Sequence, residues 1–184
     1  RQRQMCIRDR YAAVGLAGWS YGRIESTESE LARIVGEAGV EYRGFSVTMP
    51  AKFAALHFAD EASERARFIG SANTLVRTGD GWRADNTDCE GILAALAELM
   101  RDAPIENAVL IGAGGTARPA LWALKHCGAH RVHVLNRTDR RAEIAALAEG
   151  IELRFTDFDT DLAAVTMSAD VVVSTVPSQA IAAY

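Results

Sequence analysis

Hydrophobic positions along the chain change period several times, and each change predicts an element. Residues 19–25 alternate loosely and read as a strand. Thr27-x-x-Glu30 has the form of a capping box. Leu31, Ile34, Val35 and Ala38 follow at helical spacing, with Gly39 placed to end the helix. Tyr42, Phe45 and Val47 mark a strand over residues 42–48, and Met49-Pro50 opens a turn. Residues 51–69 read as two short helices and residues 72–77 as a strand. Gly79-Asp80-Gly81 is a hairpin signal, with the chain returning through Trp82. Ile92, Leu93, Leu96, Leu99 and Met100 mark a longer helix, which Pro104 ends.

The pattern then changes character. Val109-Leu110-Ile111 is a short apolar strand, followed by a glycine-rich turn and a helix carrying Ala117, Ala120, Leu121 and Leu124. Val132, Val134 and Leu135 form a strand, residues 138–148 an alanine-rich helix, and Ile151, Leu153 and Phe155 a strand. A short helix over residues 159–166 leads to the apolar run Val171-Val172-Val173. Strands alternating with helices in this order predict a parallel, doubly wound sheet, and hence an α/β fold. A domain boundary is expected near residues 101–106.

Composition narrows the class. Apolar residues make up 49% of the chain, enough for a core, and the charge of −4 gives no basic face for nucleic acid. No apolar run reaches the roughly 18 residues that span a bilayer. Three cysteines (Cys6, Cys89 and Cys127), odd in number and widely spaced, do not make a disulfide framework, so a cytoplasmic protein is expected. Cys127, His130 and His133 straddle a helix end, a turn and a strand start, so they are not read as a metal set.

The glycine-rich turn carries the first chemistry. Gly112-Ala113-Gly114-Gly115-Thr116-Ala117 fits G-x-G-x-x-A between a strand and a helix, the pattern that seats a pyrophosphate on a helix N-terminus. The alternative is a plain structural turn. The next strand ends at Asn136-Arg137-Thr138, where an NAD site would place an acid; with Arg140 and Arg141 one turn on, the residues favour NADP. Asp139 weakens that cationic patch a little, and the alternative is that Arg137, Arg140 and Arg141 are simply a solvated helix start.

Three polar motifs stand in the first half: Ser46-Val47-Thr48-Met49-Pro50-Ala51-Lys52, Ser71-Ala72-Asn73-Thr74 and Asp85-Asn86-Thr87-Asp88. Singly, each reads as a helix cap or a solvated lysine. Together with GAGGTAR and NRTDRR, in this order and spacing, they resemble shikimate dehydrogenases over about residues 11–180. The resemblance implies a substrate domain over residues 11–103 and an NADP-binding, Rossmann-type doubly wound sheet over residues 104–184, incomplete at its C-terminus. It makes Lys52 and Asp88 the catalytic pair, with the proton donor within the pair left open. Thr48, Asn73 and Asp88 would contact substrate. Gly112, Ala113, Gly114, Gly115, Thr116, Ala117, Asn136, Arg137, Thr138, Arg141 and Thr175 would hold NADP. The implied reaction is the reversible reduction of 3-dehydroshikimate to shikimate, a step of aromatic amino-acid (chorismate) biosynthesis. A quinate/shikimate dehydrogenase with broader substrate or NAD use is the alternative, and a non-catalytic NADP-binding relative is another. A small-molecule substrate is the expected partner, with no nucleic acid or membrane, in a monomer or homodimer.

Residues 1–10, RQRQMCIRDR, are expected to be a sequencing-adapter artefact, with residues 11–16 the end of the family's first helix. The resemblance implies an opening strand followed by a Ser-x-Ser segment that grips the substrate carboxylate, and a closing helix with a substrate-contacting glutamine; the first strand and both of these are expected to be missing from this sequence. The chain is therefore expected to be a fragment of low activity.

Overall fold

The computed structural model describes residues 2–79, 81–101, 103–159 and 161–181. Expectations that involve Arg1, Asp80, Asp102, Thr160 and residues 182–184 lie outside these.

The first half builds α1 (Gln2–Ala13), α2 (Leu31–Gly36), β1 (Gly44–Ser46), α3 (Lys52–Phe58), β2 (Glu61–Ala62), α4 (Glu64–Ile69), β3 (Thr74–Arg77), β4 (Trp82–Asp85) and α5 (Asp88–Met100). Its sheet has the order β1-β3-β4-β2. The hairpin β3–β4 is antiparallel, with Leu75 opposite Ala84, and β1 is antiparallel to β3, with Phe45 opposite Leu75. Leu75 and Ala84 are fully buried, and with Leu31, Val35, Ala55 and Trp82 they form the first core. Helix α4 shows why so short a segment holds. The Ser63 hydroxyl accepts from the Ala66 amide at its start, and Gly70, at φ 72°, closes its end.

Several sequence expectations need correction here. Residues 19–25 form no strand: a strand exists only by pairing, and no strand among the described residues pairs with this segment. Trp19 and Ile24 are instead about half exposed, and Trp19 stacks edge-on against Tyr11. Helix α2 stops at Gly36, short of Gly39, because a glycine inside a helix costs backbone entropy. The capping box is half formed. Glu30 accepts from the Thr27 amide (2.9 Å), but the Thr27 hydroxyl donates to that same carboxylate (2.7 Å) in place of capping an amide.

The second half is β5 (Asn107–Ile111), α6 (Ala117–His126), β6 (Arg131–Leu135), α7 (Arg141–Ile144) with a 3₁₀ turn over Ala145–Ala148, β7 (Glu152–Thr156), α8 (Leu162–Met167), β8 (Val171–Ser174) and a last 3₁₀ turn over Ser178–Ala180. The alanine-rich segment thus starts at Arg141 and tightens into a 3₁₀ turn, where one helix was expected. All strand pairings are parallel, in the order β7-β6-β5-β8. The chain moves outward from β5 to β6 and β7, then crosses back to place β8 on the other side of β5. That reversal opens a crevice at the C-terminal ends of β5 and β8, the place where doubly wound sheets bind ligands. Leu110, Leu121, Leu124, Val132, Val134 and Ile144 fill the second core. Helix α5 adds Leu96 to it. Pro119 falls in the first turn of α6, where its missing N–H removes a donor that has no intrahelical partner.

Candidate active site

Lys52 is the first residue of α3, and Asp88 the first of α5. Strand β1 and the turn that follows, with a cis Met49–Pro50 peptide, deliver Lys52; the end of β4 delivers Asp88. The two meet although 36 residues separate them. The Lys52 Nζ donates to Asp88 Oδ2 at 2.5 Å and to Thr116 Oγ1 at 2.9 Å. Lys52 is only 6% exposed, so this ammonium relies on those two acceptors.

Asn73 fixes the other side of the carboxylate. Its Nδ2 donates to Asp88 Oδ1 (2.8 Å), while its Oδ1 accepts from the Thr87 amide (3.0 Å) and the Thr74 hydroxyl (2.8 Å). Asn86 is fully buried beneath: it donates to the Ser71 carbonyl (2.9 Å) and accepts from the Asp88 amide (3.2 Å), holding the start of α5. Ser71 in turn donates to the Gly115 carbonyl at 3.3 Å. Lys52, Ser71 and Asn86 are the buried polar side chains among the described residues, and all three belong to this network. Buried polar groups of this kind persist only when satisfied. Thr48 lies apart from the network, on an exposed stretch, with its carbonyl accepting from the Ala51 amide.

A second carboxylate, Asp85, anchors the site from behind. Arg65 grips it with two bonds, from Nε (2.8 Å) and Nη2 (2.6 Å), and the Ser63 hydroxyl and Asn86 amide add two more. The Arg65 bonds come first among the causes that hold the Asp85 carboxyl down at about 2. Sequence reading named Asp85 only as a possible cap, and Arg65 gave no signal, since the partners are 20 residues apart. Cys89, beside Asp88, is fully buried, and burial pushes its thiol up to about 12, so it remains a protonated core residue.

The glycine-rich loop sits across from this cluster, between β5 and α6. Gly112 has φ 102°, and a side chain there would run into the Thr175 hydroxyl and Val176. Thr175 itself pins the chain just past β8 to the end of β5 by bonding the Ile111 carbonyl through both its amide (2.9 Å) and its hydroxyl (2.7 Å). Gly114 is exposed, with open space where a Cβ would stand. The amides of Ala113, Gly114, Gly115 and Thr116 have no acceptor among the described residues, so the loop offers donors and a helix dipole to an anion. A pyrophosphate therefore fits here.

The end of β6 is less open than the sequence suggests. Asn136 Nδ2 turns inward onto the Thr138 carbonyl (2.9 Å). The Arg141 guanidinium is occupied by Asp139 (2.7 Å), which holds the Asp139 carboxyl below its ordinary range. Arg137 and Arg140 are exposed, Arg140 within 3.8 Å of Glu143. Asp139, Arg141, Ala142, Ala145 and Leu153 line an open groove of about 440 Å³ beside them.

Comparison with known proteins places this geometry in a family. Residues 6–75 match the shikimate dehydrogenase substrate-binding domain, and residues 95–183 match shikimate/quinate 5-dehydrogenase. The shikimate dehydrogenase (NADP(+)) of Methylobacterium radiotolerans is 42% identical over 147 residues, covering 76% of this chain and 52% of the relative. That of Aeropyrum pernix is 41% identical over 126 residues, covering 68% of this chain and 45% of the relative. The crystal structure of Mycobacterium tuberculosis shikimate dehydrogenase superposes with a TM-score of 0.81 at 45% identity, covering 95% of this chain and 65% of that one. The chain thus spans about half the length of the curated relatives it matches. With the paired lysine and aspartate, the phosphate loop and the two matched regions together, the chain belongs to the shikimate dehydrogenase family.

Proposed function

We propose that this chain carries the reacting groups of an NADP-dependent shikimate dehydrogenase, which interconverts 3-dehydroshikimate and shikimate. One observation carries the reading: the Lys52–Asp88 pair lies directly against the loop that offers its amides to a dinucleotide. Reducing a ring ketone to an alcohol needs a hydride and a proton. The hydride chemistry belongs to the nicotinamide when it is bound.

The chain's own residues supply the rest. The Lys52 ammonium stabilises negative charge developing on the substrate oxygen and stands in reach to protonate it. Asp88, held by Asn73, orients that ammonium and accepts from a substrate hydroxyl. Thr48 contributes a hydroxyl on the exposed rim. Residues 11–103 carry this substrate side, and residues 104–184 the nucleotide side. Gly112 to Ala117 and Thr175 cradle the pyrophosphate, and Asn136, Arg137, Thr138 and Arg141 meet the ribose phosphate. For Arg141 to do so, its guanidinium must turn from Asp139 or serve as a pair with it. Cys89 and Cys127 are both free thiols, which suits a reducing cytoplasm.

The test is Lys52→Ala in the full-length protein that contains this sequence. Turnover should fall by about 10²–10⁴, the usual contribution of a placed proton-transfer group, with NADP affinity nearly unchanged. Near-normal turnover would remove Lys52 from the mechanism. The matched family description also names quinate. Relative efficiencies with shikimate and quinate, each with NADP and NAD, separate the two; a preference for quinate with NAD would favour that second reading.

A further inference from the structure

Thr116 occupies the N-cap position of α6, the place where a threonine hydroxyl ordinarily accepts from a backbone amide of the first turn. It makes no such bond. Its hydroxyl instead accepts from Lys52 Nζ at 2.9 Å, across 64 residues of sequence. The neighbouring Gly115 closes on the stem of the same lysine: a Cβ there would stand 3.4 Å from Lys52 Cβ and 3.5 Å from Lys52 Cδ. Ser71, whose neighbour Ala72 donates its amide to the Lys52 carbonyl (2.9 Å), reaches the Gly115 carbonyl. The loop therefore touches Lys52 at its stem, its backbone support and its ammonium.

We propose that Thr116 is a positioning residue for Lys52, so that the loop which holds the dinucleotide phosphates also sets the direction of the ammonium. The inference rests on the reading of Lys52 given above, and adds the part of the loop that aims it. A lysine side chain has four rotatable bonds, and its ammonium makes three directed hydrogen bonds. Asp88 takes one. Thr116 takes a second, which leaves the third free to face a substrate oxygen. Without the hydroxyl, Nζ is fixed at one point only and swings about the Asp88 contact.

The experiment compares Thr116→Val, which keeps the shape and removes the hydroxyl, with Thr116→Ser, which keeps the hydroxyl, in the full-length protein. Thr116→Val should lower kcat roughly 10- to 100-fold, the scale produced by misplacing a reacting group; KM for NADP should change by less than about twofold, because the backbone amide of residue 116, which is what that residue offers the pyrophosphate, is kept. Thr116→Ser should recover most of the lost rate. A second readout needs no turnover: the rate at which a small acylating reagent labels Lys52, measured by mass spectrometry with no nucleotide present. Thr116→Val should raise that rate about threefold, as a side chain tied at two points becomes tied at one. A loss expressed only in KM for NADP, or labelling and kcat both at wild-type values, would overturn the proposal. If Lys52→Ala retains turnover, the catalytic reading of Lys52 fails, and the labelling comparison still decides whether Thr116 holds it.

Discussion

Gly112 shows how much one position can require. Its φ of 102° is a conformation that side chains rarely adopt, and it turns the chain from β5 into the loop. Space is short as well: a Cβ would stand 2.6 Å from the Thr175 hydroxyl, which is already committed to the Ile111 carbonyl. Gly112→Ala should therefore destabilise by about 1–3 kcal/mol from backbone strain alone, and weaken NADP binding as the loop shifts. Urea denaturation and a nucleotide titration measure the two effects. The glycine's role was legible in the sequence, because the G-x-G-x-x-A spacing states a physical requirement. Lys52, Asp88 and Asn73 stand in short polar motifs at element ends, and the structure brings these three side chains together. Asn86 and Ser71 stand in the same motifs, yet their burial was not legible, since nothing in a four-residue motif says which side chain faces the core.

Elements are tied together by groups that the pattern of hydrophobic positions does not show. Arg65 on α4 holds Asp85 at the end of β4, and so fixes the approach to α5 and Asp88. The carboxyl is lowered from 3.8 to about 2. A group lowered on folding stabilises the protein above its unfolded value, and the stabilisation is lost as pH falls through the folded one. The chain should thus lose stability between about pH 4 and pH 2 through this pair. Arg65→Gln should lower stability at pH 7 by about 1–3 kcal/mol, the range for hydrogen bonds to a charged group, and flatten the loss across that acid window. Unfolding free energies measured at steps from pH 7 to pH 2 check both parts; an equal slope in the variant would remove Asp85 from the acid response. Helices and strands with internal periodicity, such as α5, α6 and β5, were readable in advance. The segment over residues 19–25 was not, because its alternation predicts a face and says nothing of whether a partner strand is there to meet it.

At the scale of the whole molecule, α5 packs into the second core, and the first turn of α6 ties the two halves further through contacts that sequence distance does not suggest. Thr116 reaches Lys52, and two residues on, Arg118 spans both halves. Its Nη1 donates to the Ile69 carbonyl at the end of α4 (2.9 Å), and its Nη2 to the Glu143 carbonyl of α7 (3.0 Å). The guanidinium also lies 5.3 Å over the Phe53 ring, beside Lys52. A planar cation with its donors in a fixed fork suits such a bridge, whereas a lysine reaches one acceptor at a time. Arg118→Lys should therefore keep the charge and lose one of the two carbonyl contacts, with a cost of about 1–3 kcal/mol in unfolding free energy. Arg118→Met keeps much of the stem, loses both contacts, and should cost more. The ordering, with Lys between wild type and Met, is the informative result. If the two variants are equally destabilised, the charge or the ring contact matters and the fork does not; if neither is, α5 with the Thr116–Lys52 and Ser71–Gly115 contacts suffices to hold the halves.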